Sequence, residues 1–330
     1  MRRLTLISIV LIGAAWLVGC DPLAPIPTPT AQTIIVTRAP SATPLASDTP
    51  EPSPLPSFTP EPTLTATPPP LPCLDEGGQV LPFDDFRSAV AGENLRYRVY
   101  VPPCYIESQQ RFPLVILLHG QAETELQWTQ LGLVDALEQG QSLGVLGPMI
   151  VVLPYWGNIG NRNVFPPENS YETVIMNELL PAVERDFCVW ENRQYRAIGG
   201  ISRGGFWAYS IGMRHPETFG RVGGHSAAFD PDNAPAANNP LDLALNAPFL
   251  QEANLRMYVD YGTEDPAGEN LDTFSSRLSA RGIPHTLVIN PVGGHDSDYW
   301  SAHLGEYLTF YADGWPRDLE PLPSCLEPSP

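Results

Sequence analysis

A serine lies at the centre of the pentapeptide Gly-Ile-Ser-Arg-Gly, residues 200–204. A short apolar run precedes this pentapeptide and an amphipathic pattern follows it, which is the strand–turn–helix setting that a G-x-S-x-G nucleophile requires. Side chains in place of Gly200 or Gly204 would collide with neighbouring backbone in so sharp a turn. The turn would lift the Ser202 hydroxyl out of the sheet, beside a helix amino end that favours developing negative charge. The pattern predicts that Ser202 is a nucleophile; the alternative is a glycine-rich turn with an incidental serine.

A nucleophilic serine needs a base, and the chain has six histidines. The expected order along the chain is nucleophile, acid, histidine, with the last two in loops after later strands. His295 fits this order, because it follows the last predicted strand after two glycines and precedes the closing helix. His225 also ends a predicted strand, but it precedes the acid. We therefore interpret His225 as a substrate contact or as a packing residue, and the sequence leaves both open.

The acid should follow the strand predicted over 257–261, where Gly-Thr-Glu-Asp occupies residues 262–265. Asp265 is the preferred candidate, Glu264 is the near alternative, and Asp260 lies inside the strand. Asp265 would hold the His295 ring in one tautomer and stabilise its protonated form. A turn-forming aspartate ahead of a proline is the other interpretation of Asp265.

An oxyanion would need two backbone N–H donors, each typically contributing about 2.7–4 kcal/mol to catalysis. The N–H of Arg203, directly after the serine, is one candidate. The other should come from the loop after the strand 113–118, where we prefer the Gln121 N–H. Trp156, in a loop after another strand, and the insertion 158–169 are candidates for lining a substrate cleft, although Trp156 could equally be ordinary packing.

The elements that would position these residues follow from hydrophobic patterning. Apolar segments predict strands over residues 96–101, 113–118, 149–153, 195–201, 221–225, 257–261 and 285–290. Helical periodicity lies between or after several of them, over residues 173–187, 205–214 and 300–311. Strands that alternate with helices predict an α/β fold with a mostly parallel sheet and helices on both faces. Ligands bind such sheets at the carboxyl ends of the strands, where the candidate residues fall.

The two ends of the chain differ from this middle part. Residues 1–20 have a basic start, an apolar stretch and a small-residue pattern before Cys20, which is typical of a lipoprotein signal peptide with Cys20 lipidated. An uncleaved anchor is the alternative, but the run is shorter than the ~20 residues that cross a bilayer. Residues 21–72 are rich in proline and threonine and predict a disordered linker. Residues 73–325 suit one domain, 326–330 form a tail, and the chain is expected outside the cytoplasm on a lipid anchor.

Composition restricts the partners. The net charge of -19 argues against binding to nucleic acid, since phosphate binding needs a basic face. Of the five cysteines, lipidation of Cys20 would leave Cys73, Cys104, Cys188 and Cys325. An even number in an exported protein favours disulfides over metal ligands, and three pairings are open. We expect no metal and no cofactor.

From about residue 86 to residue 311 the chain resembles the putative esterase family, which includes esterase D, feruloyl esterases and mycolyltransferases. The segments that carry the resemblance are 96–103 leading into 114–120, Glu-Leu-Leu-Pro-Ala-Val-Glu at 178–184, the serine motif, Asn-Pro-Leu-Asp at 239–242, Gly-Thr-Glu-Asp at 262–265, and Gly-His-Asp at 294–296 with Tyr-Trp at 299–300. The resemblance implies an α/β-hydrolase fold and an acyl-enzyme mechanism, and it assigns the motif positions to Ser202, Asp265 and His295.

Arg203 departs from the family, because similar esterases usually have an uncharged residue there. We interpret its guanidinium as the partner of a nearby carboxylate rather than as a contact for an acidic substrate group. The family's usual sheet order makes the strands that begin near residues 112 and 195 neighbours. That order implies a Cys104–Cys188 disulfide and leaves Cys73–Cys325 to join the two ends of the domain.

Together these features predict an extracytoplasmic serine esterase that hydrolyses carboxylic esters, such as carbohydrate acyl esters, through an acyl-enzyme. Two alternatives remain open. The acyl group could pass to a sugar or lipid alcohol, or the chain could be a binding module on a hydrolase scaffold that has lost catalysis.

Overall fold

The computed structural model describes residues 31–36, 72–82 and 84–327. Within these residues a 10-stranded sheet forms the centre of the molecule. Its strands are β1 (Gln32–Val36), β2 (Gln79–Val80), β3 (Asp84–Arg87), β4 (Asn94–Val101), β5 (Leu114–Leu118), β6 (Ile150–Pro154), β7 (Arg196–Ile201), β8 (Arg221–His225), β9 (Arg256–Gly262) and β10 (His285–Asn290).

The strand order across the sheet is β1-β10-β9-β8-β7-β5-β6-β4-β2, and β3 also pairs with β4. From β10 to β6 every pairing is parallel. The four strands β1 to β4, at the two sides of this parallel part, pair antiparallel with their neighbours. Each strand expected from the apolar runs is present, so the predicted mostly parallel α/β sheet is confirmed.

Helices connect the strands. They are α1 (Tyr105–Ser108), α2 (Gln127–Gln130), α3 (Leu133–Ser142), α4 (Tyr171–Val174), α5 (Leu180–Asp186), α6 (Arg203–Arg214), α7 (Pro240–Asn246), α8 (Gly268–Ala280), α9 (Ser297–Ala302) and α10 (Leu304–Ala312). A π-helical turn, Ile175–Leu179, joins α4 to α5. No helix in the described part of the chain combines the length and the apolar character needed to cross a membrane.

Both faces of the sheet are covered, because successive side chains of a strand point to opposite faces. On β5, Ile116 packs in a core that includes Phe206 of α6. Its neighbour Val115 packs in a second core with Leu133 of α3 and Tyr307 of α10. Strands buried on both sides have continuous apolar runs, and this is why Leu114–Leu118 lacks the polar alternation of a surface strand.

One strand lies inside the range assigned to the linker. Gln32–Val36 pairs antiparallel with β10 in a register that sets Gln32 opposite Ile289 and Val36 opposite His285. Three consecutive β-branched residues, Ile34 to Val36, suit a strand, and the edge of β10 offers unpaired backbone groups. The expectation of an unstructured segment is therefore wrong for these residues. Residues 1–20, including Cys20, and the rest of 21–71 lie outside the described residues.

The disulfide pairing differs from the prediction. Cys73 bonds to Cys104 across a Cα–Cα distance of 5.1 Å, and Cys188 bonds to Cys325 across 5.7 Å. The predicted neighbourhood is correct, since β5 and β7 are adjacent and the Phe112 N–H donates to the Cys188 carbonyl at 2.8 Å.

The predicted disulfide partners are wrong because two further segments of the chain lie at this end of the sheet. The Cys325 N–H donates to the Gln109 carbonyl at 2.7 Å, so the C-terminal strap lies against the chain between Cys104 and β5. The Glu327 carbonyl accepts from the Arg111 guanidinium at 2.8 Å, which docks the start of the predicted tail as well. On the other side, the short 3-10 helix Pro72–Asp75 brings Cys73 to Cys104.

Candidate active site

Ser202 stands between β7 and α6 with φ 54° and ψ -118°. A positive φ is costly for a residue with a side chain and persists only where the surroundings impose it. Those surroundings are crowded: a Cβ on Gly200 would lie 2.3 Å from the Gly204 carbonyl carbon. A Cβ on Gly204 would lie 2.4 Å from the His119 carbonyl oxygen. The two glycines therefore allow helix α6 to pack against the loop after β5, with Ser202 held at the tip of the turn.

Ser202, His295 and Asp265 form one hydrogen-bonded chain. The Ser202 Oγ lies 2.8 Å from His295 Nε2. His295 Nδ1 lies 3.0 Å from one Asp265 oxygen and 3.2 Å from the other. Because a carboxylate only accepts, Nδ1 carries the proton and Nε2 is left to accept from the serine hydroxyl. The three residues are 93 and 30 positions apart along the chain, so the fold alone brings them together.

The loops after β9 and β10 hold the acid and the histidine in register. The Thr263 N–H donates to the Asn290 carbonyl at 3.0 Å, and the Glu264 N–H donates to the Gly293 carbonyl at 3.1 Å. Gly293 adopts φ 113°, a conformation that favours glycine. Glu264 is exposed, whereas the Asp265 side chain is fully buried against His295, so the structure selects Asp265 over its neighbour.

Burial by itself would raise the pKa of the Asp265 carboxyl. Hydrogen bonds from His295, from the Ser226 hydroxyl and from the Ala267 N–H act in the opposite direction and prevail, so the pKa lies below its ordinary value. The Ala267 N–H donates to Asp265 Oδ1 at 2.8 Å. At neutral pH Asp265 is therefore an anion that faces the half-exposed imidazole of His295.

Of the two backbone groups proposed for an oxyanion hole, the Arg203 N–H lies at the serine turn and the Gln121 N–H lies in the loop after β5. In the part of the chain that the structure describes, neither the Arg203 N–H nor the Gln121 N–H has a protein acceptor. The Gly120 N–H, in contrast, donates to the Gln127 side chain at 2.7 Å. A Cβ on Gly120 would lie 3.8 Å from the Ile201 carbonyl oxygen, so the loop after β5 passes close to the serine turn. Gln121 follows Gly120 in this loop, and its role as an oxyanion donor stays a prediction.

His119 anchors that loop. Its Nδ1 donates to the Gly120 carbonyl at 2.8 Å, and its Nε2 accepts from the Trp156 N–H at 3.4 Å. Burial lowers the pKa of His119 to about 4, so the ring is neutral and keeps this donor–acceptor pattern. The Trp156 ring lies 3.9 Å from the His119 ring and is 1% exposed. The interpretation of Trp156 as a substrate contact is wrong, because its side chain packs beneath the loop.

His225 does not face a substrate cleft either. It is 0% exposed, and its Nδ1 donates to Asp260 at 2.7 Å while its Nε2 lies 2.8 Å from the Tyr311 hydroxyl. Of the two interpretations left open, packing is the one that the structure supports. The backbone of His225 nevertheless contributes to the site, since its carbonyl accepts from the Ser202 N–H at 3.0 Å.

The Arg203 side chain has no carboxylate partner among the described residues. Its guanidinium reaches the loop after β6 and donates to Asn163 Oδ1 at 2.6 Å and to the Gly160 carbonyl at 3.4 Å. Burial lowers the pKa of Arg203 to about 10, still far above neutral. The expected ion pair is therefore wrong. The arginine stays charged on neutral acceptors and fastens the 158–169 insertion to α6.

Sequence reasoning missed Ser226 as a site residue and gave no role to Trp300. Ser226 follows β8 directly, the position from which such sheets present functional groups, and that signal was available. Trp300 lies on α9, with its ring edge-on to His295 at 5.2 Å. Within residues 31–36, 72–82 and 84–327, no group of three or more His, Cys, Asp or Glu side chains is arranged to hold a metal ion.

The parallel sheet with a serine at a strand–helix turn, and with acid and histidine on later loops, defines an α/β-hydrolase. Residues 88–311 match the putative esterase family, and the chain belongs to it. A bifunctional endo-1,4-β-xylanase/feruloyl esterase of Xylanibacter ruminicola is 31% identical over 150 residues, covering 42% of this chain and 20% of that protein. An esterase of Mycobacterium tuberculosis is 28% identical over 255 residues, covering 64% of this chain and 54% of its own. This chain thus spans about half the length of the mycobacterial esterase and a smaller part of the bifunctional enzyme.

Solved structures show the same fold. A ferulic acid esterase superposes with a TM-score of 0.65 at 27% identity, covering 72% of this chain and 97% of its own. An S-formylglutathione hydrolase of Staphylococcus aureus superposes with a TM-score of 0.61 at 17% identity, over 72% of this chain and 99% of its own. The second likeness supports the fold only.

Proposed function

We propose that this protein is a serine esterase that hydrolyses carboxylic esters through an acyl-enzyme on Ser202. The observation that carries the proposal is the hydrogen-bonded chain from Ser202 through His295 to Asp265, with the serine at positive φ on a strand–helix turn. This is the arrangement of a nucleophile with an oriented base, and membership of the putative esterase family supports the same reaction.

The reaction proceeds in two halves. The Ser202 Oγ bonds to the ester carbonyl carbon while His295 Nε2 takes the hydroxyl proton, and the carbonyl oxygen becomes an oxyanion held by the Gln121 and Arg203 N–H groups. His295 then gives its proton to the leaving alcohol as the carbon–oxygen bond breaks. Water repeats the sequence on the acyl-enzyme, and the acid product leaves with Ser202 restored. Asp265 remains an anion throughout and stabilises the imidazolium.

For the substrate, we propose an aromatic acyl ester carried on a carbohydrate. The sequence relative that combines a xylanase with a feruloyl esterase and the superposed ferulic acid esterase support this choice. We propose that residues 161–163 of the insertion, which are exposed, border this substrate; Arg203 donates to Asn163 and Trp207 donates to the carbonyl of the preceding Gly160, so both side chains of α6 hold the segment.

For the location, we propose a protein exported from the cytoplasm and anchored through a lipid on Cys20. Two disulfides in the described domain support an oxidising compartment.

Hydrolysis of a short-chain nitrophenyl ester and of methyl ferulate by the purified chain tests the activity. We expect steady turnover that Ser202→Ala abolishes, while Ser279→Ala, an exposed serine on α8, keeps the wild-type rate. Unchanged turnover in Ser202→Ala would refute the proposal. Product analysis with an added sugar alcohol separates hydrolysis from acyl transfer.

A further inference from the structure

A cavity of about 490 Å³ lies beside the start of β4, apart from the proposed triad. Sites for small ligands usually have volumes of roughly 300–1,000 Å³, so the cavity is large enough to hold one. Most of its wall is polar or charged, and none of these side chains takes part in the proposed reaction. The polar side chains of the wall are those of Asp85, Asn94, Arg96, Arg98 and Glu125.

The cavity lies at the edge of the sheet that carries the triad. β4 runs antiparallel to β6, and the Tyr155 N–H, directly after β6, donates to the Arg96 carbonyl at 2.9 Å. The start of β4 therefore lies at the edge where β5, β6 and β7 end. The order β7-β5-β6-β4 separates this point from the serine turn by three strand spacings, or about 14 Å at ~4.8 Å each. An ester held at Ser202 would reach the cavity only through an extended leaving group.

The loop that contains the proposed oxyanion donor Gln121 also contributes to the wall. Glu125 of this loop accepts from the Arg96 Nε at 2.6 Å. The Arg96 guanidinium lies 4.3 Å from the centre of the Tyr155 ring, and that ring stacks on His119 at 5.7 Å. These contacts connect the cavity wall to the beginning of the loop after β5, so the cavity and the proposed catalytic site share one loop.

Two side chains of the wall have hydrogen-bonding capacity that the protein leaves unused. The Glu125 side chain is 5% exposed, and its Oε2 has no hydrogen-bond partner among the described residues. The buried Nε of Arg98 has no partner among them either. A buried polar atom without a partner carries a cost, and a ligand hydroxyl could remove both costs because it accepts as well as donates.

The charges of the wall are balanced. Asp85 and Glu125 contribute two carboxylates, and Arg96 and Arg98 contribute two guanidinium groups. A phosphate or a metal cation would meet repulsion from one pair as well as attraction to the other. A neutral ligand with several hydroxyl groups would instead meet donors and acceptors side by side, which is the pattern that suits a sugar.

We propose that this cavity is a subsite for the carbohydrate part of the ester. Neutral sugar hydroxyl groups bind between Arg98 and Glu125 while the acyl group lies at Ser202. This proposal rests on the proposed function and deepens it. It makes Asp85, Arg98 and Glu125 determinants of the leaving group that the enzyme prefers, and it gives them no part in bond breaking.

The test measures binding without turnover. The probe is an arabinoxylan oligosaccharide without acyl groups, titrated into the wild-type full chain and followed by calorimetry. We expect Kd to rise about tenfold in Arg98→Met, because hydrogen bonds to charged groups are worth roughly that much in affinity. Asp85→Asn, at an exposed position, should also raise Kd and decides the test if Arg98→Met does not fold. An oligosaccharide that carries a uronic acid should bind no more tightly than the neutral probe.

Arg317→Gln is the matched control. Arg317 is exposed, lies outside this cavity and donates to the Gly144 carbonyl at 3.0 Å. This variant should bind the probe as the wild type does. A wild-type chain that does not bind the probe would overturn the proposal, as would folded Arg98→Met and Asp85→Asn proteins that bind it equally well. Tighter binding of the uronic acid would contradict the choice of a neutral ligand.

Hydrolysis gives a second readout that keeps the two proposals distinguishable. A feruloylated arabinoxylan oligosaccharide and methyl ferulate carry the same acyl group, so the ratio of their kcat/KM values reports the leaving group alone. We expect this ratio to fall in Arg98→Met by a factor similar to the change in Kd, and to stay at the wild-type value in Arg317→Gln. If Ser202→Ala retains turnover, the esterase proposal fails while the titration still decides the subsite. An unchanged ratio and an unchanged Kd in Arg98→Met would contradict the subsite alone.

Discussion

The described part of the chain holds two aspartate–histidine pairs, one in the loops after β9 and β10 and one formed by the last residue of β8 with a residue of β9. They differ in the group that the second ring nitrogen of the histidine contacts. In both, Nδ1 lies on a carboxylate, at 3.0 Å for His295 with Asp265 and at 2.7 Å for His225 with Asp260. His295 Nε2 faces the Ser202 hydroxyl, and its side chain is 31% exposed. His225 Nε2 faces the Tyr311 hydroxyl, and both side chains of that pair are 0% exposed.

We call His225–Asp260 the sealed pair and His295–Asp265 the open pair. In the sealed pair, both ring nitrogens and both carboxylate oxygens have hydrogen-bond partners. The second Asp260 oxygen accepts from Tyr299 at 2.7 Å and from Tyr307 at 3.0 Å, and no substrate could reach either residue. A buried charge that is this well hydrogen-bonded is costly to break from one side. An aspartate–histidine pair therefore suits acyl transfer only where its outer nitrogen meets a nucleophile at an open edge. The sealed pair instead ties β8 and β9 to α10 below the serine turn.

The largest expected difference between the pairs is in activity. His295→Gln removes the base, and we expect kcat to fall by about 10⁴–10⁶ with little change in melting temperature. His215→Gln, a histidine away from the site, serves as the control and should keep the wild-type kcat. Ester hydrolysis and a thermal scan on the same samples measure both quantities. A His295 variant that kept more than a tenth of the activity would end the distinction drawn between the two pairs.

Asp265→Asn should have the next largest effect. The amide favours the wrong imidazole tautomer, and the comparable change in a serine protease lowers kcat about 10⁴-fold. Glu264→Gln, one residue away and exposed, is the matched control and should change kcat less than twofold. Equal losses in the two variants would mean that the acid has been assigned to the wrong side chain.

A substitution in the sealed pair should lower the stability of the fold rather than the activity. Asp260→Asn leaves His225 without its anion, and breaking one side of a buried pair costs about 3–5 kcal/mol. For a domain of this size that corresponds to a fall of about 10 °C in melting temperature. Hydrolysis per folded molecule should remain within about threefold of wild type. A stable Asp260→Asn protein with lost activity would reverse the roles given to the two pairs.

The smallest expected effect is on the free energy of unfolding at acid pH. Because the folded-state pKa of Asp265 is lowered, the carboxylate contributes stability that is fully present above its unfolded pKa and is lost as pH falls through the folded value. The difference in unfolding free energy between wild type and Asp265→Asn should therefore shrink as pH falls through that range. Urea denaturation at a series of pH values measures it; a difference that grows toward low pH would show the sign to be wrong.

The sequence predicted the open pair and not the sealed one, for a physical reason. The open triad has local signals: a glycine-flanked serine between strand and helix, and a histidine and an acid in loops at the expected places. A histidine at a strand end has the same local sequence whether its ring turns outward or inward. Whether the ring turns inward depends on the space beneath the strand. Gly223 helps to provide that space, because a Cβ there would lie 2.2 Å from the Tyr311 hydroxyl.

The predictions for the disulfides and for β1 were wrong for a related reason. The predicted adjacency of β5 and β7 is confirmed. The cysteine pairing, however, depended on where two terminal segments pass, and no local pattern sets the path of a terminal segment. The strand Gln32–Val36 did carry a signal, a β-branched run inside proline-rich sequence. Average composition concealed it, since one short apolar run does not alter a segment that is otherwise rich in proline.

Labelling with a fluorophosphonate, read by peptide mass mapping, shows whether Ser202 is an activated nucleophile. An activated serine beside an oriented histidine forms a covalent phosphonyl adduct, whereas a buried or unactivated serine does not. We expect one adduct, on Ser202, that forms far more slowly in His295→Gln and at an unchanged rate in His215→Gln. A folded protein that gives no adduct on Ser202, or one that reacts at the same rate without His295, would contradict it.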